Sequence, residues 1–157
     1  VGQFADVGGV SLAVEVGAAS VDHVEHISPD GARALAEAGI AAVMLPVASF
    51  TLAQQPPPVA MLREAGVPLV VASDANPGTA PTESLPLAMA LAVRMYGMSV
   101  QETLQGVTEL PGHQHRLSHD LAAMGSGGQH PLQFLGGLQS RFGGKGLQVQ
   151  SHHLFSL

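Results

Sequence analysis

The chain alternates between short apolar runs of strand length and longer stretches with helical periodicity, and no hairpin turn separates any two of them. The strand-like runs cover residues 20–26, 40–46 and 67–74. Because a helical stretch lies between each run and the next, consecutive strands are expected to be parallel and joined by right-handed crossovers. The pattern predicts an α/β fold, part of an open sheet or of a barrel. A closed (β/α)8 barrel needs about 250 residues, and the chain has 157.

Capping residues set the expected helix boundaries. Ser28 can accept a hydrogen bond at the helix start, Pro29 fits the first helical position and Gly39 fits the left-handed exit. A helix is therefore predicted over residues 28–39. The other predicted helices cover about three turns within residues 5–18, residues 56–66, residues 82–97 with Thr82 as cap, and residues 99–108, opened by a Ser99/Glu102 capping box.

Composition supports buried strands and excludes several classes of partner. Charged residues make up 11% and apolar residues 46% of the chain, which suits parallel strands covered on both faces. A formal charge of −6 with six Lys and Arg argues against nucleic acids and acidic membrane surfaces as partners. No cysteine is present, so disulfides and thiolate metal sites are excluded. No run reaches the ~18 apolar residues of a membrane span, and no signal-peptide pattern opens the sequence, so a cytoplasmic protein is expected.

In either α/β architecture, functional groups gather where the strands end. The predicted strand ends carry His23, Pro46 and Asp74. A carboxylate held there suits a hard-metal ligand or a general base. The alternative, which the residues leave equally open, is that Asp74 caps the following turn through its own backbone.

Several neighbours of these residues are weaker candidates. The turn Asn76-Pro77-Gly78-Thr79 offers backbone N–H groups, an amide and a hydroxyl to a ligand, or is an ordinary tight turn. A lone histidine such as His23 is more often structural than catalytic. By strand alternation, Glu25 shares the face of His23 and His26 does not; we set Glu25 aside as a solvated loop charge. These residues alone indicate part of a metal-assisted or acid–base α/β enzyme.

Three segments give a more specific indication: "QFADVGGVSLAVEVGAASVDHVEH", "AAVMLPVASF" and "SDANPGTAPTESLPLAMALAV". In order and spacing they resemble the imidazolonepropionase family of the amidohydrolase superfamily, over residues 3–108. The resemblance implies the last strands and helices of a TIM-type (β/α)8 barrel of the metal-dependent hydrolase class. It also implies hydrolysis of the ring amide of 4-imidazolone-5-propanoate to N-formimino-L-glutamate, in histidine degradation, with one zinc or iron ion.

The resemblance assigns roles to individual residues. Asp74 matches the residue that is both metal ligand and base for the attacking water. His23 matches the strand-end histidine that polarises the ring carbonyl or stabilises the transition state, and Gln3 matches a contact to the imidazolone ring. The turn residues implied to hold the substrate are Asn76, Gly78 and Thr79.

The sequence also departs from the family pattern. The family's metal takes a His-x-His pair from the first strand and a third histidine that would fall immediately before Val1. A catalytic zinc normally takes at least three protein ligands, so the site is expected to be incomplete and the isolated chain inactive. His and Asp ligands suit zinc and iron alike. A small-molecule substrate and a homodimer of the complete enzyme are the partners implied.

Residues 111–157 have a different composition from residues 1–110. They hold six of the eight histidines, nine of the nineteen glycines and one of the twelve acidic residues. The sequence predicts an irregular tail without a packed core, and a His-rich metal-binding tail is the alternative. We interpret it as out-of-frame or misjoined coding sequence.

Two other functions stay open at this point. One is a non-catalytic α/β fragment or binding module, which metal content and turnover would distinguish from an enzyme. The other is a different amidohydrolase, such as a deaminase or a dihydroorotase-like enzyme, and the "DANPGT" turn argues against it.

Overall fold

A parallel three-stranded sheet forms the centre of residues 1–108, the part of the chain that the computed structural model describes. Its strands are β1 (Ser20–Asp22), β2 (Ala41–Met44) and β3 (Leu69–Val71), in the order β1-β2-β3. Both strand pairs are parallel, with Val21 opposite Ala42 and Val43 opposite Val70. The predicted α/β class and parallel pairing are confirmed for these residues, and the three strands do not by themselves form a barrel.

Six helices connect and cover the strands in this part of the chain: α1 (Gly9–Glu15), α2 (Pro29–Ala38), α3 (Pro46–Thr51), α4 (Val59–Ala65), α5 (Leu85–Tyr96) and α6 (Val100–Val107). The side chain of Ser28 accepts from the Gly31 N–H at 3.1 Å, and Gly39 ends α2 with φ of 67°. Ser99 and Glu102 form the reciprocal capping box of α6. These capping predictions are confirmed.

The start of α5 differs from the prediction. Ser84 is the cap, because its Oγ accepts from the Leu87 N–H at 3.3 Å, whereas Thr82 Oγ1 accepts from the Ser84 N–H at 3.1 Å. With Thr82 as cap, the Thr82 carbonyl would need the N–H of residue 86, and Pro86 has none. Beginning the helix at Leu85 places Pro86 in the first turn, where a missing N–H costs nothing.

The strands are shorter than predicted, and one helix was not predicted at all. β1 ends at Asp22 because His23 turns into the left-handed region, with φ of 58°. Pro46, which was interpreted as the end of a strand, is the first residue of α3. The helix α1 has seven residues, about two turns rather than three.

Alternation along the strands divides the core between the two faces of the sheet. One cluster contains Ala42 and Met44 of β2 together with Leu35 of α2 and Leu62 of α4. The other contains Ala41, Val43, Leu45, Ala48 and Val70. All four residues of β2 are buried, which explains why its sequence is apolar throughout rather than alternating.

The helix α6 packs closely on the outer strand β3. A Cβ added to Gly106 would lie 2.8 Å from the carbonyl oxygen of Leu69, so only glycine fits at this contact. Across residues 1–108, none of the helices is long and apolar enough to cross a membrane.

Candidate active site

The carboxyl ends of β1 and β3 bring a histidine and an aspartate together. His23 directly follows β1, and Asp74 lies three residues beyond β3. His23 Nε2 is 3.9 Å from Asp74 Oδ2, an ionic-contact distance. The two side chains meet although β2 lies between their strands.

Both residues have backbone conformations that side-chain-bearing residues seldom adopt. His23 has φ of 58° and Asp74 has φ of 55°. The left-handed region costs a residue with a Cβ about 1–2 kcal/mol. Within residues 1–108 the third such residue is Ala53, with φ of 51°, so two of the three lie at the contact, where strain often marks a functional site.

The Asp74 carboxylate is partly buried and has no hydrogen-bond donor among the described residues. Its side chain is 29% exposed. Burial raises the pKa of the Asp74 carboxyl above its usual value, His23 lowers it, and the negative charges of Asp22 and Glu25 add to the rise. The carboxylate does not cap the following turn, so the Asx-cap alternative is not supported.

Asn76, not Asp74, organises that turn. Its Oδ1 accepts from the Gly78 N–H at 2.9 Å and from the Thr79 N–H at 2.8 Å. Its Nδ2 donates to the Asp74 carbonyl oxygen at 2.7 Å and to Thr79 Oγ1 at 3.1 Å. Both ends of the amide are therefore used inside the turn, and its donation to the Asp74 carbonyl fixes the backbone that carries the carboxylate.

The turn closes through a short backbone bridge. The Asn76 N–H donates to the carbonyl of Ala80 at 2.9 Å, and Ala80 is fully buried. The N–H groups of Gly78 and Thr79, which the sequence offered as substrate contacts, both point to Asn76 Oδ1. In this conformation the turn positions Asp74 rather than presenting free donors.

Glu25 belongs to the site, and its assignment as a solvated loop charge is wrong. Its side chain is only 4% exposed, and its Oε1 lies 3.5 Å from His23 Nδ1. The sequence argument that grouped Glu25 with His23 assumed strand alternation, whereas residues 23–26 follow the end of β1 and the turn itself brings Glu25 beside His23. His26 is exposed.

Two further buried polar residues extend from Glu25 into the protein. Ser49 of α3 donates to Glu25 Oε1 at 3.5 Å, and the Ser49 and Tyr96 hydroxyls are 2.6 Å apart. Ser49 is fully buried and Tyr96 is 6% exposed. Sequence reasoning missed both, because α3 was not predicted and nothing in the sequence pairs it with the end of α5.

The segment before α1 lies beside the His23 turn. The Gly2 N–H donates to the His23 carbonyl at 2.6 Å, and the His26 N–H donates to the Gly2 carbonyl at 3.1 Å. The Gln3 carbonyl accepts from Gln54 Nε2 at 3.0 Å. These contacts anchor the backbone of Gln3 next to the histidine and leave its side chain partly exposed.

The curated proteins similar to this chain include imidazolonepropionases from several bacteria. The chain is 49% identical over 107 residues to the imidazolonepropionase of Aeromonas hydrophila, a match that covers 68% of this chain and 26% of the relative. It is 46% identical over 127 residues to that of Verminephrobacter eiseniae, covering 79% and 28%. For that of Polaromonas sp. the identity is 44% over 134 residues, covering 85% and 31%. The chain is related to the imidazolonepropionases.

The extent of the match matters as much as its strength. The chain spans about a quarter to a third of the length of the imidazolonepropionases it matches. The match of 134 residues is longer than the segment 1–110, so part of it extends beyond residue 110. No protein-family model matches the chain. The predicted tail, residues 111–157, lies outside the described residues, and its origin stays a prediction.

The described residues do not group the ligands of a complete metal site. Within residues 1–108, no three His, Asp or Glu side chains are grouped to hold a metal ion. Asp74 is the partly buried strand-end carboxylate, whereas Asp22 at the end of β1 is exposed. Residues 1–108 do not form a three-ligand metal site by themselves.

Proposed function

We propose that this chain provides the strand-end catalytic residues of an imidazolonepropionase. Such an enzyme hydrolyses the cyclic amide of 4-imidazolone-5-propanoate to N-formimino-L-glutamate, in histidine degradation. The observation that carries the proposal is the contact of 3.9 Å between His23 Nε2 and Asp74 Oδ2. It occurs in a chain 49% identical over 107 residues to an imidazolonepropionase.

In this proposal Asp74 is the base. Hydrolysis of an amide requires a water oxygen to attack the carbonyl carbon while a base takes the water proton. The C–N bond then breaks, and a proton is delivered to the departing nitrogen. The Asp74 carboxylate suits this role because it is rigidly held and makes no hydrogen bond among residues 1–108.

His23 is proposed to act on the other side of the reacting carbonyl. Its Nε2 faces Asp74, and as an N–H of the imidazolium it would polarise the ring carbonyl or stabilise the charge that develops in the transition state. Gln3, anchored next to it, is proposed to contact the imidazolone ring. Asn76, Gly78 and Thr79 are proposed to shape the substrate side of Asp74 through their shared turn.

The zinc or iron ion of the complete enzyme is part of the same proposal. Asp74 would be one of its ligands, and the others would come from outside residues 1–108. A cytoplasmic location, a small-molecule substrate, the lack of nucleic-acid and membrane partners, and a homodimer stay predictions.

A second candidate is a non-catalytic α/β segment that keeps the fold alone. The turn at Asn76 favours it, because the Gly78 and Thr79 N–H groups are already bonded to Asn76 Oδ1.

A chimera separates the two. The matching 107 residues of the Aeromonas hydrophila imidazolonepropionase are replaced by those of this chain, and conversion of 4-imidazolone-5-propanoate to N-formimino-L-glutamate is followed by NMR. Turnover by the chimera is the expected result. A folded, metal-loaded chimera without turnover would favour the non-catalytic segment. The inactivity expected of the 157-residue chain alone is tested in the same assay.

A further inference from the structure

We propose that Glu25 is a positioning residue for His23, which accepts the Nδ1 proton of the imidazole and thereby directs Nε2 toward Asp74. Ser49 and Tyr96 hold Glu25 in place. The catalytic meaning of this arrangement rests on the proposed function, whereas the arrangement itself is a property of the chain that can be measured without substrate or metal.

A continuous series of polar contacts runs from Tyr96 in the interior to His23 in the site. Tyr96, at the end of α5, contacts Ser49 of α3 at 2.6 Å, and Ser49 contacts Glu25 Oε1 at 3.5 Å. Glu25 Oε1 in turn lies 3.5 Å from His23 Nδ1. Three elements far apart in the sequence therefore converge on one imidazole.

Two buried polar atoms at the centre of this series lack hydrogen-bond partners. Among the described residues, His23 Nδ1 and Glu25 Oε2 are both buried without a hydrogen bond. A buried carboxylate is costly unless it is paired. Within residues 1–108, the His23 ring lies at ionic-contact distance from Glu25, with Nδ1 3.5 Å from Oε1. A small rotation that brings the two side chains together satisfies both atoms at once.

The number of hydroxyl protons determines the direction of the hydrogen bonds in this series. Ser49 has one hydroxyl proton, so if it donates to Glu25 it must accept from Tyr96. Burial raises the pKa of Tyr96, which keeps the phenol protonated and able to donate. The order Tyr96 to Ser49 to Glu25 leaves the carboxylate as the final acceptor, and the proton it accepts from the site is that of His23 Nδ1.

The consequence is a defined histidine tautomer. An imidazole whose Nδ1–H is held by a carboxylate presents Nε2 as its working nitrogen. In the neutral ring Nε2 is a proton acceptor, and in the imidazolium, which the carboxylate stabilises, Nε2 carries the N–H that can donate to a carbonyl. Without Glu25 the ring would be free to rotate about χ2 and to exchange tautomers.

The test is ¹⁵N NMR of the full 157-residue chain labelled at histidine, at a pH where ordinary imidazoles are neutral. The signals of His23 are assigned by their loss in His23→Gln, and exposed His26 is the internal control. We expect a proton on Nδ1 of His23 in the wild type and in Glu25→Gln, whose amide oxygen still accepts. We expect loss of that proton from Nδ1 in Glu25→Leu.

Matched variants keep the test informative if Glu25→Leu does not fold. Glu37→Leu removes an exposed carboxylate on α2 and should leave the His23 signals unchanged. Ser49→Ala and Tyr96→Phe should each reduce the protonated fraction of Nδ1, because Glu25 loses its support. An unprotonated Nδ1 in the wild type, or an unchanged one in folded Glu25→Leu, would overturn the proposal.

These outcomes are independent of the proposed function. A catalytically silent chimera together with the expected Nδ1 signals would contradict the enzyme and keep the positioning role. An active chimera with an unprotonated Nδ1 would support the enzyme and contradict the positioning role of Glu25.

Discussion

His23 and Asp74 each follow a strand, have a strained backbone and a partly buried side chain, and contact each other. Each has a positive φ, and their side chains meet at 3.9 Å. The strain is tolerated because the surrounding backbone is fixed, by Gly2 against the His23 carbonyl and by Asn76 against the Asp74 carbonyl. The backbone that carries the two side chains is therefore fixed, although the side chains that meet are 21% and 29% exposed.

Replacing Asp74 with Asn is expected to raise the thermal stability of the chain near neutral pH. The pKa of Asp74 is raised by burial, so the folded chain binds its proton more tightly than the unfolded chain does. Stability from this group is present at low pH and is lost as the pH rises through the raised pKa. Tm measured against pH should show the gain of Asp74→Asn at pH 7 and its disappearance near pH 3. An equal gain at both values would contradict the burial account.

The hydroxyl pair of Ser49 and Tyr96 should be measurable as a coupled contribution to stability. Tyr96→Phe keeps the ring and removes a buried hydrogen bond, which is worth about 0.5–1.5 kcal/mol in the free energy of unfolding. Ser49→Ala should cost a similar amount. Because each variant removes the same contact, the double variant should cost less than the sum, as measured by urea unfolding of all four chains. Strict additivity would show that the hydroxyls do not interact.

Among the elements, α6 makes two close contacts, one with the outer strand β3 and one with α4. Gly106 allows its backbone to approach the Leu69 carbonyl, and Glu102 joins it to α4 through Arg63 at 2.6 Å. The first contact depends on steric fit between the two backbones, and the second is an ion pair. They can be tested separately.

Gly106→Ala is expected to destabilise the chain although alanine favours helices. The added Cβ would lie 2.8 Å from the backbone oxygen of Leu69, and neither backbone can yield without moving α6 off β3. Overpacking of this kind costs about 1–3 kcal/mol. Urea unfolding measures the loss, and Gln105→Ala, an exposed neighbour on the same helix, is the control. A stabilised Gly106→Ala would contradict the close approach of α6 and β3.

The ion pair between α4 and α6 should make stability depend on acid pH. Hydrogen bonds from Arg63 and from the Ser99 backbone lower the pKa of Glu102 to about 2. The stabilisation is present above the ordinary glutamate pKa and is lost as the pH falls toward 2. Glu102→Gln should therefore lower Tm at pH 7 and have little effect near pH 2. Exposed pairs contribute at most about 1 kcal/mol, so Arg63→Gln should show a loss of the same small size.

At the scale of the whole molecule, the features that depend on a short stretch of sequence were predictable. The contacts between residues far apart in the sequence were not. The order of strands and helices, the Ser28 and Ser99 caps and the exit at Gly39 follow from short stretches of sequence. The helix after Pro46 was missed because proline suits both the end of a strand and the first helical position. The burial of Glu25 depends on Ser49 and Tyr96, which reach it from 24 and 71 residues away, and no local pattern encodes such a meeting.

The resemblance to imidazolonepropionase gave Asp74 a more specific predicted role than residue chemistry could. Strand ends alone left Asp74 divided between a turn cap and a catalytic carboxylate. The family pattern favoured the second role, and the hydrogen bonds of Asn76 show that the cap is supplied by a different residue. The boundary predicted near residue 110 stays untested, because residues 109–157 lie outside the described part of the chain.

The most direct test of the account is kcat/KM for 4-imidazolone-5-propanoate in the chimera, with Asp74→Asn compared with Asp22→Asn. Asp22 is an exposed carboxylate at the end of β1, so its replacement controls for charge near the site. The account predicts that Asp74→Asn lowers kcat/KM by about 10²–10⁴-fold, the usual contribution of a general base, while Asp22→Asn stays close to the parent. Equal activity of the two variants would contradict the assignment of Asp74 as the catalytic carboxylate.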